Sequence, residues 1–105
     1  MAAYRAGWPA VDARGESRDE VFHHASARPD GGAPFSLLIV NTSPSGLMAR
    51  CDGGMAPGTA LSVMLPVTGR VRATVRWALG GRIGCQFEQS IPPQLYYEML
   101  AALRR

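Results

Sequence analysis

Apolar and polar positions alternate along most of the chain beyond residue 20, and the period changes near the end. Glu20 to Ala27 forms a first candidate strand, and Arg28-Pro29-Asp30-Gly31-Gly32 supplies a loop after it. Phe35 to Val40 is the most hydrophobic run and predicts a buried strand. It leads into Asn41-Thr42-Ser43-Pro44-Ser45-Gly46, six residues that are all turn or capping types. Gly46 to Cys51 reads as a third strand, stopped by Asp52-Gly53-Gly54, and Ala60 to Leu65 as a fourth, with Leu61, Val63 and Leu65 on one face. Pro66 to Gly69 turns the chain. In the fifth strand Val71, Ala73, Val75 and Trp77 point one way, while Arg70, Arg72, Thr74 and Arg76 point the other, so one face is packed and one is wet. Gly80-Gly81 predicts a hairpin into a sixth strand, Arg82 to Glu88, which buries Ile83, Cys85 and Phe87.

After residue 88 the spacing becomes helical. Ile91, Leu95, Met99 and Leu103 recur on one face, Ser90 reads as the N-cap, and Pro92 and Pro93 suit a first turn. Arg104 and Arg105 fall at the C-terminal end, where the helix dipole favours cations. Six short strands with Gly- and Pro-rich turns, followed by one amphipathic helix, predict an all-β fold: a six-stranded antiparallel barrel with the helix covering one opening. Residues 1–13 mix Gly7, Pro9 and small residues with Tyr4 and Trp8 without a sustained period, and read as a flexible N-terminal arm; residues 14–105 form the domain.

Composition narrows the function classes. With 105 residues, 47% of them hydrophobic, the chain suits one domain with a modest core. No apolar run approaches the roughly 20 residues of a membrane span, and the first residues lack the pattern of a secretory signal. A cytoplasmic location is the default expectation. Cys51 and Cys85 lie in separate candidate strands without metal-ligand spacing and read as reduced core thiols. His23 and His24 are neighbours on a strand and point to opposite faces, so they do not share a metal. No spacing of His, Cys or carboxylates supports a nucleophile, a metal or a resident cofactor, and the chain does not read as an enzyme.

Binding chemistry is better supported. All eleven basic residues are arginines, against eight acidic ones. A guanidinium fork pairs bidentately with a phosphate or a guanine edge and stacks on flat rings. Arg14 and Arg18 stand four apart in a polar segment, and the corner holding Asn41, Ser43 and Gly46 follows after one strand and a loop. Together they describe a two-sided clamp, cationic on one side and neutral on the other. Arg14 and Arg18 suit an anion or a base edge; Asn41 and Ser43 offer an amide and a hydroxyl to guanine N–H groups, on one side of the strand if alternation persists. Gly46 would permit a positive φ and a close backbone approach. Each also has a plainer reading, as solvated charge or as turn chemistry. Trp77, in phase with Val75, reads as core, with stacking on a guanine at the barrel mouth as the alternative.

Arg14-x-x-x-Arg18 followed by Asn41-x-Ser43-x-x-Gly46 resembles the paired signature of PilZ domains, bacterial receptors for cyclic di-GMP. The likeness extends to Gly46-Leu47-Met48, the Val71 to Trp77 strand, Ile83-Gly84-Cys85-Gln86-Phe87 and the terminal helix, in the family's order. The resemblance implies a PilZ-like barrel whose ligand contacts are Arg14, Arg18, Asn41, Ser43 and Gly46. It implies a stand-alone nucleotide-binding receptor in second-messenger signalling, relaying cyclic di-GMP to a protein partner, because the chain holds no second domain to receive the signal. Two departures stand out: Glu16, Asp19 and Glu20 lie beside the arginines, and Thr42 occupies a position that is more often aliphatic in the family. The alternatives are a PilZ-fold adaptor indifferent to nucleotide and, less favoured, a small barrel that binds single-stranded nucleic acid through a wet face of Arg70, Arg72, Arg76 and Arg82.

Overall fold

The structure, a computed structural model, describes residues 17–53 and 55–105. Six strands close into an antiparallel barrel: β1 (Asp19–Pro29), β2 (Phe35–Ser43), β3 (Gly46–Arg50), β4 (Ala60–Leu65), β5 (Gly69–Leu79) and β6 (Arg82–Phe87). Around the barrel they run β1-β2-β3-β6-β5-β4, so that β1 and β4 seal the seam. Helix α1 (Pro93–Leu103) follows. Closure leaves no free sheet edge, which removes the hazard an open six-stranded sheet would carry.

The interior is narrow, and the residues facing it are sized to fit. Ala25 and Ala27 from β1, Ala49 from β3 and Ala73 from β5 make room for Leu37, Ile39, Leu47, Leu61, Val63, Val75 and Ile83. Cys51 and Cys85 are buried, unbridged thiols. Ile91, Tyr96, Met99, Leu100 and Leu103 join the same core from the C-terminal segment. The helical phase differs slightly from the expected Leu95-centred stripe: Tyr96 is buried, while Leu95 is only packed against the core. The N-cap is also displaced. Pro92, at φ −57 and ψ 148, takes that place without a side-chain cap, and Ser90 lies outside the helix. The following Pro93 forces its predecessor into extended geometry, so the helix starts two residues later than hydroxyl capping suggests.

Three strands are longer than alternation alone predicts, and each holds an extra residue. β1 is irregular between Glu20 and His23, β2 between Ile39 and Asn41, and β5 between Val75 and Trp77. A bulge puts two residues opposite one and resets which face the following side chains occupy. All three resets affect the same side of the barrel, where the candidate site lies.

A candidate nucleotide-binding face

β2 continues through the corner, so Asn41, Thr42 and Ser43 are strand residues and Pro44-Ser45 alone make the turn. Leu37 and Ile39 face the interior. Unbroken alternation would carry Asn41 and Ser43 inward too. The β2 bulge prevents this: Ile39 pairs with buried Ala49, but Asn41 pairs with Met48, on the outer face of β3. Thr42, opposite Leu47, takes the inner position and is 2% exposed.

The outer row continues across the barrel. Glu20 of β1 pairs with Asn41, Asn41 with Met48, Met48 with Gly84 of β6, and Gly84 with Trp77 of β5. This corrects the expectation that Trp77 shares the core face with Val75. The β5 bulge turns Trp77 outward, where its indole lies over Gly84; a Cβ at that glycine would come within 2.1 Å of the indole nitrogen. The next outer row joins Ser43, Gly46, Gln86 and Thr74. Arg76, on the same side, donates from Nε to Gln86 Oε1 at 2.8 Å.

Polar satisfaction along this face is uneven. Thr42 Oγ1 donates to the Gly46 carbonyl at 3.0 Å, and Ser43 Oγ accepts the Ser45 N–H at 3.3 Å while sharing a hydrogen with Ser45 Oγ at 3.4 Å. Ser43 is therefore fully buried and already employed in the turn. Asn41 is not so employed. Its Nδ2 donates to the Met48 thioether, a weak acceptor, at 3.6 Å, and its buried Oδ1 has no partner among the described residues. Trp77 Nε1, also buried, has none. Native proteins leave few buried polar atoms unpaired, and each costs about 1–3 kcal/mol. Here one acceptor and one donor of this kind stand in a single row.

The arginine segment meets this face at its edge. Asp19 pairs with Thr42, so Arg18, one residue earlier, adjoins the Ser43 end of β2. Arg18 is exposed at the surface, yet partial desolvation lowers its guanidinium pKa from the ordinary arginine value. Arg14 lies outside the described residues. Gly46 is buried and does not adopt the positive φ expected of it; the left-handed glycines are Gly31, Gly58, Gly69, Gly80 and Gly81. Pro44 fixes a negative φ, and with no positive φ at Ser45 either the turn closes without a left-handed residue.

The arginines of β5 and β6 point outward as expected, with Arg70, Arg76 and Arg82 exposed and Arg72 half-exposed, but two of the four are engaged by neighbours. Arg72 is held by Asp30 and Glu88, Arg76 by Gln86, and Arg82 stands opposite Arg50. A cavity of about 550 Å³ lies further along β1, β2 and β3, lined by residues that include His24, Leu38, Arg50 and Met55, and none of the expected site residues borders it. Among the described residues no cluster of three or more His, Cys, Asp or Glu could hold a metal, and no helix is long and apolar enough to cross a membrane. Sequence reasoning missed Met48, Gln86 and Tyr96 as neighbours of the site. Met48 and Gln86 left a signal, since both lie in runs already quoted for their resemblance; Tyr96 left none.

Comparison with known families agrees with this architecture. Residues 12–104 match the family model described as PilZ domain, so the chain belongs to the PilZ family. No curated protein gives a significant match.

Proposed function

We propose that this PilZ domain is a receptor that binds cyclic di-GMP on the outer face of β2, β3 and β6 and relays its presence to a protein partner. The observation that carries the reading is the Asn41 amide, turned outward by a bulge and left with an unpaired oxygen beside the arginine segment. A guanine offers N1–H and N2–H donors to such an oxygen. Because Asn41 gives up only a weak contact to sulfur, reorienting its amide toward a base costs little. Trp77 supplies a partly exposed indole in the same row for stacking against a purine. Arg14 and Arg18 supply forks for phosphate or the O6/N7 edge.

Ser43 and Gly46 act mainly by shaping the corner in this reading. The Ser43 hydroxyl holds the turn, and Gly46 accepts from Thr42 while presenting no side chain to the row between Ser43 and Gln86. The domain binds and does not catalyse. Closure of the arginine segment over the bound nucleotide would create the surface that a downstream protein reads.

Isothermal titration with cyclic di-GMP tests this. Saturable binding is expected, weakened about tenfold or more in each of Arg14→Ala, Arg18→Ala and Asn41→Ala, as loss of charge-assisted or buried hydrogen bonds implies. Absence of binding, or binding indifferent to all three substitutions, would refute it.

A further inference from the structure

The outer surface of β1, β4 and β5, on the other side of the barrel from Asn41, carries a separate groove of about 370 Å³. Two cross-strand rows build its floor. In one, Arg28 pairs with Ser62 and Ser62 with Arg72; in the other, Met64 pairs with Arg70. Ser26 and the loop residues Asp30 and Pro34 line the same space.

The donor and acceptor balance of this groove is one-sided. Arg72 is saturated: Nη1 and Nη2 donate to the two Asp30 oxygens at 2.6 and 2.9 Å, Nη1 also reaches Ser62 Oγ at 3.3 Å, and Nε lies 3.6 Å from Glu88. Arg28 uses only Nε, on the Gly32 carbonyl at 3.1 Å, and keeps both terminal nitrogens. Arg70 has no hydrogen bond or ion pair among the described residues. Ser62, having accepted from Arg72, keeps its own hydrogen to donate. Asp30, the carboxylate in the groove, has both oxygens taken. What remains is donors: two guanidinium forks and two hydroxyls.

Such a set fits a small anion with several oxygens. A carboxylate has two oxygens and is satisfied by one fork, whereas a phosphate monoester has three terminal oxygens and can take a fork on each side and a hydroxyl between. Arg28 and Arg70 stand two strands apart and two residues out of register, roughly 12 Å between their backbones. That is too far for direct crowding and close enough for two long side chains to meet at one anion. The space exceeds what a bare phosphate ion fills, and Met64, 49% exposed, offers an apolar contact to an organic group.

We infer that this groove binds small phosphate esters, with Arg28 and Arg70 as the two forks and Ser26 and Ser62 as hydroxyl donors. Arg72 is the positioning residue, fixed by Asp30. The site is independent of the cyclic di-GMP reading, since it shares no residue with that face.

An NMR titration of the ¹⁵N-labelled protein with inorganic phosphate and with adenosine monophosphate, at ionic strength held constant with chloride, tests the inference. Saturable shifts are expected at residues 26–31, 62–64 and 70–72, with the monophosphate binding more tightly than the bare ion. Arg28→Gln and Arg70→Gln should each weaken binding about tenfold or more, as lost charged hydrogen bonds do. Well-dispersed spectra confirm that each variant keeps the barrel. Shifts that do not saturate and spread equally over Arg50, Arg76 and Arg82, affinity unchanged in both arginine variants, or saturation by an acidic peptide with phosphate inert, would each overturn it.

Discussion

The Tyr96 hydroxyl donates to the Thr42 carbonyl oxygen at 3.1 Å and ties the C-terminal helix to the residue between Asn41 and Ser43. That single hydrogen is shared, at closer range, with the carboxylate of Asp19, which pairs with Thr42 across β1 and β2 and directly follows Arg18. One buried phenol therefore holds both segments that carry the proposed ligand residues. Arg104 reinforces the link, donating from Nε and Nη2 to the Glu20 carbonyl at 3.1 and 2.9 Å.

Tyr96→Phe keeps the buried ring and removes only the hydroxyl. It should cost about 1–2 kcal/mol of stability in urea denaturation, because the Thr42 carbonyl loses a buried partner. Cyclic di-GMP affinity should fall severalfold while the far-ultraviolet circular dichroism of the barrel is retained. Unchanged affinity in a destabilised protein would show that the tie is structural alone.

Gly84→Ala should act through Trp77. The added methyl has no room beneath the indole, so Trp77 must leave its place over β6. A loss of about 1–3 kcal/mol is expected, in the range for overpacking. A shifted indole emission, compared with a Trp77→Phe reference, and weaker nucleotide binding would accompany it. An unaltered spectrum would mean that the ring is not seated on Gly84.

Val67 is the one non-glycine residue with positive φ among the described residues, at 70°, in a turn closed by the Thr68 N–H donating to the Pro66 carbonyl at 2.7 Å. A β-branched side chain is poorly accommodated there. Val67→Gly should raise stability by about 1 kcal/mol, since glycine has no Cβ to strain at the centre of such a turn. A thermal melt that moves downward would contradict this.

Burial pushes the Cys85 thiol up to about 12, with the neighbouring Cys51 adding to the effect. The folded protein therefore holds the proton more tightly than the unfolded chain, whose thiol titrates near 9. The contribution to stability is complete below that value and is lost as pH rises through the folded pKa, at roughly 1.4 kcal/mol per pH unit for one proton. Urea midpoints measured from pH 8 to 11 should fall more steeply in the parent protein than in Cys85→Ala.

Much of this was readable from the residues. The order of six strands and a helix follows from periodicities that the structure keeps, and the family assignment agrees with the motifs around Arg18 and Asn41. The facing of key side chains was less readable. Alternation from Val71 to Trp77 looks unbroken on paper, and only the pairing of Val75 with Cys85 and of Trp77 with Gly84 reveals the extra residue between them. The same holds for Asn41: the residues suggested only that it shares a side with Ser43, and the bulge that turns it outward has no local signature. Tyr96 escaped notice because its ring fits the helix's apolar stripe, and its hydroxyl acquires a role only through a contact 77 residues away in sequence.

The irregularity between Ile39 and Asn41 absorbs Val40 as one extra residue. Deleting Val40 would leave every signature residue in the chain. It would also leave Asn41 facing outward: with the extra residue gone, Ile39 and Asn41 become neighbours, plain alternation sends them to opposite faces, and the amide still stands opposite Met48, so the receptor would keep its reading face without a bulge.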